Sequence, residues 1–335
     1  MESKIVCKAE ILSRVTELTI NGKKLVTPTY FPAISSYGIK HPFQSLFQLL
    51  TAYSYPRILF SAYDFHFLNR EDKKQLLLEM SRYSQQGGFV YVDSGIFESF
   101  WRADSQWTYD LYKSSISEMD FDFYSSFDVL PGVNDAEYEK ETFERISASR
   151  GLSTKAEFVP ILHGIDSDRL VSLTEKFMRL FPNISTVIAV PERDCGDDIV
   201  EKARTVMKIR NLLDDHEGNK VLHILGCGNP VSLLLLSYSG ADSFDSLDWI
   251  KYVINKKDLT TNDFSHLELT NCGCAFCSDM TRGYTEKVLL HNLHFYQDFM
   301  VQIQSLIRTG EIAKFSQKLV GKDIFEKMSR TGMLP

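Results

Sequence analysis

The chain lacks any apolar stretch that could cross a bilayer: its longest run, around residues 231–236, is far shorter than the roughly 20 residues a spanning helix needs. It lacks the cysteine content of a disulfide scaffold, with 6 cysteines in 335 residues. It also lacks a general excess of positive charge, since its formal net charge is -7. These absences exclude a membrane-spanning protein, a disulfide-rich secreted protein and nucleic-acid binding through overall charge. We therefore expect a cytoplasmic protein with no membrane partner.

The apolar residues that are present predict a barrel-like architecture. Short runs rich in β-branched and aromatic residues alternate with stretches of helical periodicity. The predicted strands are residues 26–33, 57–63, 88–93, 122–130, 157–164, 185–191, 220–226 and 241–245. The predicted helices are residues 42–52, 71–85, 136–149, 166–180, 198–213 and 230–239. This alternation indicates either a (β/α)8 TIM barrel or an open, doubly wound α/β sheet.

The polar residues at the predicted strand ends favour the barrel. A barrel gathers the carboxyl ends of its strands around one mouth, where active sites lie, whereas an open sheet spreads them apart. The runs end in Asp93, Asp128, His163, Glu192 and Asp245. We therefore predict a catalytic (β/α)8 barrel over residues 1–250.

After residue 250 the alternation gives way to a loop, a cysteine cluster and two long helical stretches, residues 284–308 and 311–329. This segment shows no further predicted strand followed by a helix that would extend the barrel. We predict that residues 251–335 form a zinc-binding, helical subdomain that packs on the barrel and is not an independent domain.

The cysteine cluster predicts a metal site. Cys272, Cys274 and Cys277 lie in the segment Asn-Cys-Gly-Cys-Ala-Phe-Cys, and zinc in structural sites prefers four sulfur or nitrogen ligands in a tetrahedron. The fourth ligand must come from elsewhere, and His291 or His294 could supply it. A closed site of four ligands has no open position for water, so the cofactor that we expect is a structural zinc ion without a catalytic role.

Two aspartates are candidates for catalysis. Asp93 follows a buried run and precedes a turn of small residues, and Asp245 ends the last predicted strand. Two carboxylates at one barrel mouth suit displacement at an anomeric carbon, where one attacks or stabilises the sugar cation and the other handles the leaving group's proton. Either aspartate alone could instead cap the helix that follows its strand.

These motifs resemble the tRNA-guanine transglycosylase family along nearly the whole chain. Val-Leu-His-Ile-Leu-Gly-Cys-Gly-Asn-Pro at residues 221–230, followed by Gly-Ala-Asp-Ser-Phe-Asp at residues 240–245, is similar to the family's last two strands. Asp93 begins an Asp-Ser-Gly segment that resembles the family's Asp-Ser-Gly-Gly-Phe-Gln motif, and Phe-Asp at Asp128 resembles its base-recognition pair. The cysteines followed by His-Asn match the family's zinc site, so the resemblance makes His291 the fourth ligand.

The resemblance implies a base exchange in nucleic acid. Asp245 would attack C1′ of a nucleotide's sugar, expel guanine and form a covalent intermediate. Asp93 would be the general acid/base that deprotonates the incoming 7-deazaguanine, and Asp128 would read the base edge. The target nucleotide would have to leave its stack to reach these groups. We place further substrate contacts at Ser94, Phe97, His163, Gly164 and Glu192.

The chain also departs from the family where the family binds tRNA. Asp245 is followed by Ser-Leu-Asp-Trp-Ile in place of a Pro-Thr-Arg segment, and Val-Pro-Glu-Arg at residues 190–193 replaces a glycine-rich loop. His163-Gly164 stands in place of a Gln-Gly pair, and Ile96 in place of the motif's second glycine. Changed polynucleotide contacts around retained chemistry predict the DpdA-like branch, which inserts 7-deazaguanines into DNA.

The first hypothesis is therefore a transglycosylase that exchanges guanine in DNA for a preQ0-type 7-deazaguanine. The alternatives are an enzyme that acts on tRNA and a non-catalytic, nucleic-acid-binding subunit. A non-catalytic subunit is expected to have lost at least one of the two aspartates, and this chain retains both Asp93 and Asp245. Helper proteins and a homodimer stay open as further partners.

Overall fold

The computed structural model describes residues 1–8, 12–38, 41–131 and 135–329, without the side chain of residue 135. Its centre is a ring of eight parallel strands, which we number first to eighth along the chain. Neighbours in the chain are neighbours in the ring, and the eighth strand pairs with the first. The strands are Thr29–Ile34, Arg57–Ser61, Phe89–Asp93, Phe123–Ser125, Glu157–Val159, Val187–Pro191, Val221–Leu225 and Ser243–Ser246.

The ring closes between the fifth and sixth strands. Ile161, just beyond the fifth strand, forms a parallel bridge with Ala189 of the sixth. The backbone N–H of Ala189 donates to the carbonyl of Pro160 at 3.0 Å, and that of Leu162 donates to the carbonyl of Ala189 at 3.0 Å. The predicted (β/α)8 barrel is therefore confirmed, and the open sheet is excluded.

Helices connect the barrel strands on the outside. Several begin at a residue whose side-chain oxygen accepts a hydrogen bond from the first turn, as Asn69, Asp198 and Asn229 do. The connecting helices are Phe43–Ala52, Ala62–His66, Arg70–Gln85, Ile96–Trp101, Tyr109–Glu118, Asp135–Ser149, Ser167–Leu180, Ile199–Asp214 and Pro230–Tyr238.

All eight predicted strands differ from the observed ones by at least one residue at an end, and three of them differ most. The predicted strand 26–33 is divided at Pro28, which has no N–H to donate a hydrogen bond to a neighbouring strand. The part before Pro28 belongs to Lys23–Thr27 in another sheet, and the part after it belongs to the first barrel strand. Residues 157–164 keep regular pairing only over Glu157–Val159, since Pro160 follows. Residues 122–130 form a strand only over Phe123–Ser125, and the remainder carries Asp128 to the barrel mouth.

A packed core fills the barrel below its mouth. Alternate strand residues point inward, and they include Phe31, Tyr91 and Phe123, whose rings meet edge to face or tilted at centroid distances of 5.8–5.9 Å. An antiparallel sheet of Glu2–Lys8, Arg14–Ile20 and Lys23–Thr27 adds Leu18, Ile20 and Leu25 to this cluster. Burying each such side chain contributes roughly 1.5–3 kcal/mol, so the floor of the mouth is a rigid support.

The segment after the eighth strand begins with the short helix Asp248–Lys251 and the strand pair Tyr252–Asn255 and Thr260–Asp263. The long helix Tyr284–Arg308 lies against the barrel: the rings of Tyr296 and Tyr30 stack at 3.9 Å, and Gln304 donates to the carbonyl of Pro28 at 2.9 Å. The remaining elements are Leu267–Thr270, Ala275–Ser278, Ile312–Val320 and Lys322–Ser329.

The predicted stretch 311–329 is thus two helices, separated at Gly321, whose φ of 84° breaks the helical backbone. The domain boundary at residue 250 stays a prediction. Within the described ranges, no helix combines the length and apolar character needed to cross a membrane.

Candidate active site and metal site

A cavity of about 370 Å³ opens at the carboxyl ends of the barrel strands. Phe97 lines this cavity, whereas Ser94 and Gly164 stand behind its wall and hydrogen-bond the carboxylates of Asp128 and Asp194. Every polar residue predicted at a strand end also lines it: Asp93, Asp128, His163, Glu192 and Asp245. The barrel brings these side chains together, and their individual roles stay predictions.

Asp93 is the last residue of the third strand, and a hydrogen bond from Ser125 fixes its carboxyl group. Its Oδ1 accepts a hydrogen bond from Ser125 Oγ at 2.9 Å, and Ser125 Oγ lies 3.0 Å from the hydroxyl of Tyr91. Burial, followed by the charge of Asp128, raises the pKa of Asp93 to about 7, although the Ser125 hydrogen bond opposes the shift. A carboxyl group with such a pKa can both give and take a proton near neutrality.

Asp245 lies one residue before the end of the eighth strand and is oriented through one oxygen. Its Oδ1 accepts from the backbone N–H of Gly226 at 3.2 Å and lies 3.1 Å from His223 Nε2. The other nitrogen of His223 is 2.8 Å from Ser243 Oγ, which fixes the ring. Among the described residues both contacts use Oδ1, so Oδ2 is left for a ligand in the cavity.

Asp128 belongs to a buried chain of charges with His163 and Asp194. His163 donates from Nε2 to Asp128 at 2.7 Å and from Nδ1 to Asp194 at 3.1 Å. Burial alone would lower the pKa of His163, but the hydrogen bonds to Asp128 and Asp194 outweigh it and raise the pKa to about 9. The ring is therefore an imidazolium at neutral pH, and together with the hydroxyl of Ser94 it orients the Asp128 carboxylate.

Sequence reasoning missed Asp194 because it lies in no strand or long helix. It belongs to the 3-10 helix Glu192–Cys195 that follows the sixth strand. Glu192, the residue predicted from this segment, lines the cavity and pairs with Lys202 at 3.2 Å. The signal that could have indicated Asp194 is its position, three residues beyond the end of the predicted strand 185–191.

Two more carboxyl groups line the cavity that the sequence did not single out. Burial and the charge of Asp64 raise the pKa of Glu98 to about 8, while the hydrogen bond from Ser35 Oγ at 2.6 Å opposes the shift. Burial and the charge of Glu192 raise the pKa of Asp248 to about 6. Burial, aided by the charge of Asp64, therefore keeps Glu98 largely neutral at pH 7, where its proton makes it a hydrogen-bond donor.

Gly164 is required by close packing. A Cβ at this position would lie 2.6 Å from Leu170 Cβ and 2.7 Å from the carbonyl oxygen of Asp166. Its backbone N–H donates to Asp194 at 3.2 Å. Gly164 thus lets the helix that follows the fifth strand approach the mouth, which explains a glycine beside His163.

The cysteine cluster forms a second site, separate from the cavity. The ligand atoms of Cys272, Cys274, Cys277 and His291 all lie within 4.8 Å of one another. Cys277 Sγ is 3.4 Å from Cys274 Sγ and 3.3 Å from His291 Nδ1. A tetrahedral zinc ion with bonds of about 2.0–2.3 Å requires ligand separations of this size, so the donor set fits a metal ion.

The geometry favours His291 over His294 as the fourth ligand. His291 is buried, and its Nε2 lies 2.7 Å from the carbonyl oxygen of Ile254, which leaves Nδ1 directed at the sulfurs. His294 instead pairs with Asp298 at 3.2 Å on the helix surface. The ligand set expected from the sequence is therefore brought together in one cluster.

Fold and site define a TIM-barrel protein with carboxyl groups gathered at the barrel mouth and a Cys3His cluster beside the barrel. Residues 140–323 match the family model described as Queuine tRNA-ribosyltransferase. The chain therefore belongs to the tRNA-guanine transglycosylase family, as its motifs predict. Closeness to the DpdA-like branch stays a prediction.

Individual relatives agree with this assignment. The tRNA-guanine(15) transglycosylase of Thermococcus onnurineus is 24% identical over 335 residues, which cover 93% of this chain and 56% of the relative. That of Pyrococcus furiosus is 24% identical over 321 residues, covering 89% and 53%. The Queuine tRNA-ribosyltransferase of Nitrosomonas europaea is 26% identical over 142 residues, covering 36% and 38%. The chain spans about half the length of the archaeal relatives.

Proposed function

We propose that this chain is a glycosyltransferase of the pentosyl-transferring kind, which exchanges guanine in a nucleic acid for another base through a covalent aspartate–sugar intermediate. The observation that carries the proposal is the meeting of Asp93 and Asp245 in one cavity at the barrel mouth. Family membership supports it, since relatives are named for guanine exchange in tRNA.

In the first half of the reaction, Asp245 is the nucleophile. Its Oδ2 forms a bond to C1′ of the sugar while the bond from C1′ to N9 of guanine breaks and its electron pair passes to the base. Hydrogen bonding at Oδ1 from Gly226 holds the carboxylate for this approach. Asp93 in its protonated form gives the departing guanine its proton, so the base leaves neutral.

In the second half, the incoming base replaces Asp245. Asp93, now ionised, takes the proton from N9 of the base, N9 attacks C1′, and the bond from C1′ to Asp245 breaks. The proton that Asp93 gave is thereby recovered. A pKa of about 7 suits a group that must act in both directions.

We assign recognition of the base to the wall around Asp128. The N–H edge of a guanine-type base offers donors, and the carboxyl oxygens of Asp128 are acceptors whose direction is set by His163 and Ser94. Glu192 supplies a further acceptor nearby, and Phe97 an apolar face against which the ring can lie.

For the nucleic acid, tRNA is the first candidate, because the relatives are named for tRNA. A tRNA substrate would be met in the cytoplasm, where the sequence predicts the protein to be. DNA is the second candidate, on the observation that the segment after Asp245 offers no arginine: Asp248 lines the cavity, and Trp249 is buried with its Nε1 donating to Ala33 at 2.8 Å. A preQ0-type 7-deazaguanine is the incoming base in both cases.

The test is mass spectrometry of nucleosides from both tRNA and DNA of cells that make the protein, fed with isotope-labelled 7-deazaguanine. Label in tRNA supports the first candidate, and label in DNA supports the second. The purified protein should also form an adduct with its substrate strand that survives denaturation, and Asp245→Asn should not. Absence of label and adduct in every sample would contradict the enzymatic function and favour a binding subunit.

We further propose that the Cys3His cluster holds zinc. When bound, zinc would cross-link the segment at residues 272–277 to the helix Tyr284–Arg308 through His291. No step of the base exchange passes through the metal, because its four positions are filled by protein ligands.

A further inference from the structure

Four aromatic side chains form a cluster on the rim of the cavity, which we call the aromatic platform: Tyr37, Phe97, Phe100 and Trp101. The ring planes of Tyr37 and Trp101 are inclined by only 17° with centroids 6.2 Å apart, and Phe100 meets Trp101 edge to face at 5.2 Å. The platform nevertheless remains open to solvent, since Phe100 is 55% and Trp101 50% exposed. Exposing large aromatic rings side by side has no value for folding, so the platform points to a ligand.

The platform is continuous with the cavity. Phe97, Phe100 and Trp101 all line it, together with Asp93 and Asp245. The three rings belong to the helix Ile96–Trp101, which starts directly after the Asp93 turn. A partner protein bound to these rings would cover the opening through which a nucleotide has to enter. The platform therefore fits another part of the same nucleic-acid strand better than it fits a protein.

The platform is held in a fixed position. Gly95, with φ of 85°, makes the tight turn into the helix, and a Cβ there would lie 2.4 Å from Tyr63 Cβ. At the other end, Arg102 donates to the carbonyl of Ser36 at 2.9 Å and holds its guanidinium 5.8 Å from the centre of the Tyr37 ring. An arginine fixed beside exposed rings adds a positive charge at the edge, as suits a strand whose bases stack and whose phosphates are negative.

We propose that the outer rings of the aromatic platform, Phe100 and Trp101, stack a base that neighbours the target nucleotide in the bound strand. This inference rests on the proposed function and adds to it the mode in which the strand is held. When the target nucleotide leaves its stack, its neighbours lose a stacking face, and the rings of Phe100 and Trp101 offer a replacement. Stacking does not depend on base identity, so the platform should accept any neighbouring base.

The tryptophans allow a direct test. The chain has 3 tryptophans, and the other two, Trp107 and Trp249, are 5% and 0% exposed. Base stacking should therefore quench the fluorescence of Trp101 while leaving that of the buried pair unchanged. The probe is a short single-stranded oligonucleotide containing the target guanine, used once as RNA and once as DNA, and binding is measured separately by anisotropy of a labelled strand.

We expect the wild-type protein to be quenched on binding and Trp101→Ala to bind about tenfold more weakly or worse, because one stacking contact is lost. Trp101→Phe should lose the quenching and keep most of the affinity. Phe67→Ala, which removes a ring that is 55% exposed but outside the cavity, is the matched control and should bind like wild type. Circular dichroism melts of each variant show that it is folded.

Unchanged fluorescence on saturation, or wild-type affinity in Trp101→Ala, would overturn the platform, and so would a wild-type protein that binds neither strand. These binding measurements need no reaction. If the wild-type protein is quenched but forms no adduct, the proposed function fails and the platform stands. If it forms an adduct while Trp101→Ala binds normally, only the platform fails.

Discussion

At the scale of single residues, Asp93 shows how a position at the barrel mouth changes the pKa of a carboxyl group. Burial and the negative charges of Asp128 and Asp245 raise its pKa to about 7. In the proposed mechanism ionised Asp93 deprotonates the incoming base, so the second half-reaction should slow as the pH falls below about 7. We expect kcat/KM for the incoming base to rise with pH and level off above this value.

Asp93→Asn should remove this dependence and lower the rate by about 10²- to 10⁴-fold, the usual contribution of a general base. The measurement is the pH profile of base incorporation for wild type and variant, with the exposed Asp120→Asn as control. A rising limb that persists unchanged in Asp93→Asn would assign the titration to another group.

Glu98 leads to a prediction about stability. An acid whose pKa is raised on folding binds its proton more tightly in the folded chain, so folding is most stable below the ordinary glutamate pKa and loses stability as the pH rises toward about 8. Glutamine resembles the neutral carboxyl group and does not ionise. We therefore expect Glu98→Gln to gain stability relative to wild type as the pH rises, by roughly 1–3 kcal/mol across this window.

Thermal melts at several pH values between these limits measure the effect. The surface variant Glu144→Gln, whose side chain is 66% exposed, should show no such trend. A difference between Glu98→Gln and wild type that does not change with pH would mean that Glu98 is ionised in the folded protein throughout.

At the scale of elements, the sequence predicted the barrel because the same alternation of strand and helix recurs along the chain. Eight apolar runs separated by helical stretches leave few alternatives, and carboxyl ends that carry Asp93, Asp128 and Asp245 select the closed ring. Strand ends were less predictable, since ladder pairing stops where proline removes a donor, as at Pro28 and Pro160. Short elements were missed altogether, because a segment of four to six residues carries too little periodicity.

Those short elements hold part of the site. Asp194 lies in the 3-10 helix Glu192–Cys195. Glu98 lies in the helix Ile96–Trp101, together with three rings of the aromatic platform. Both elements follow strand ends and are defined by tertiary contacts, such as the pairing of Asp194 with His163. Sequence patterns indicated the carboxylates at strand ends, together with His163 and Ser94, but not Asp194 or Glu98.

The 3-10 helix gives a prediction of its own. Asp194→Asn should lower the pKa of His163, because one of its two carboxylate partners is lost, and the Asp128 carboxylate should then be less well oriented. Loss of a hydrogen bond to a charged group costs about 1.5–3 kcal/mol. We expect KM for the base to rise roughly 10- to 100-fold, with a smaller change in kcat.

Nuclear magnetic resonance titration of His163, together with steady-state kinetics, distinguishes this role from a purely structural one. Asp197→Asn changes an exposed carboxylate in the same loop and is the control. If the titration of His163 is the same in Asp194→Asn as in wild type, Asp194 does not act through the imidazolium.

At the scale of the whole molecule, the Cys3His cluster and the cavity are joined by the segment that follows Asp245. His291 contacts the carbonyl of Ile254, and Asn292 donates to the carbonyls of Trp249 and Tyr252. The helix that carries His291 therefore supports the part of the chain that leaves the eighth strand. Support and chemistry should still be separable, because no ligand of the cluster lines the cavity.

Paired variants separate the two sites. Cys274→Ser should lose the bound zinc and lower the free energy of unfolding by about 2 kcal/mol or more, since a ligand of a closed site is removed. Asp245→Asn should keep both zinc and stability, yet lose the covalent adduct and at least about 10³-fold in rate, or roughly 4 kcal/mol. Zinc content by mass spectrometry, thermal melts and adduct formation are measured on each.

Cys7→Ser, a partly exposed cysteine outside the cluster, should match wild type in all three. A Cys274→Ser protein that kept its zinc would show that Cys274 is not a required ligand. One that lost its zinc but kept its melting temperature would show that the cluster does not stabilise the fold.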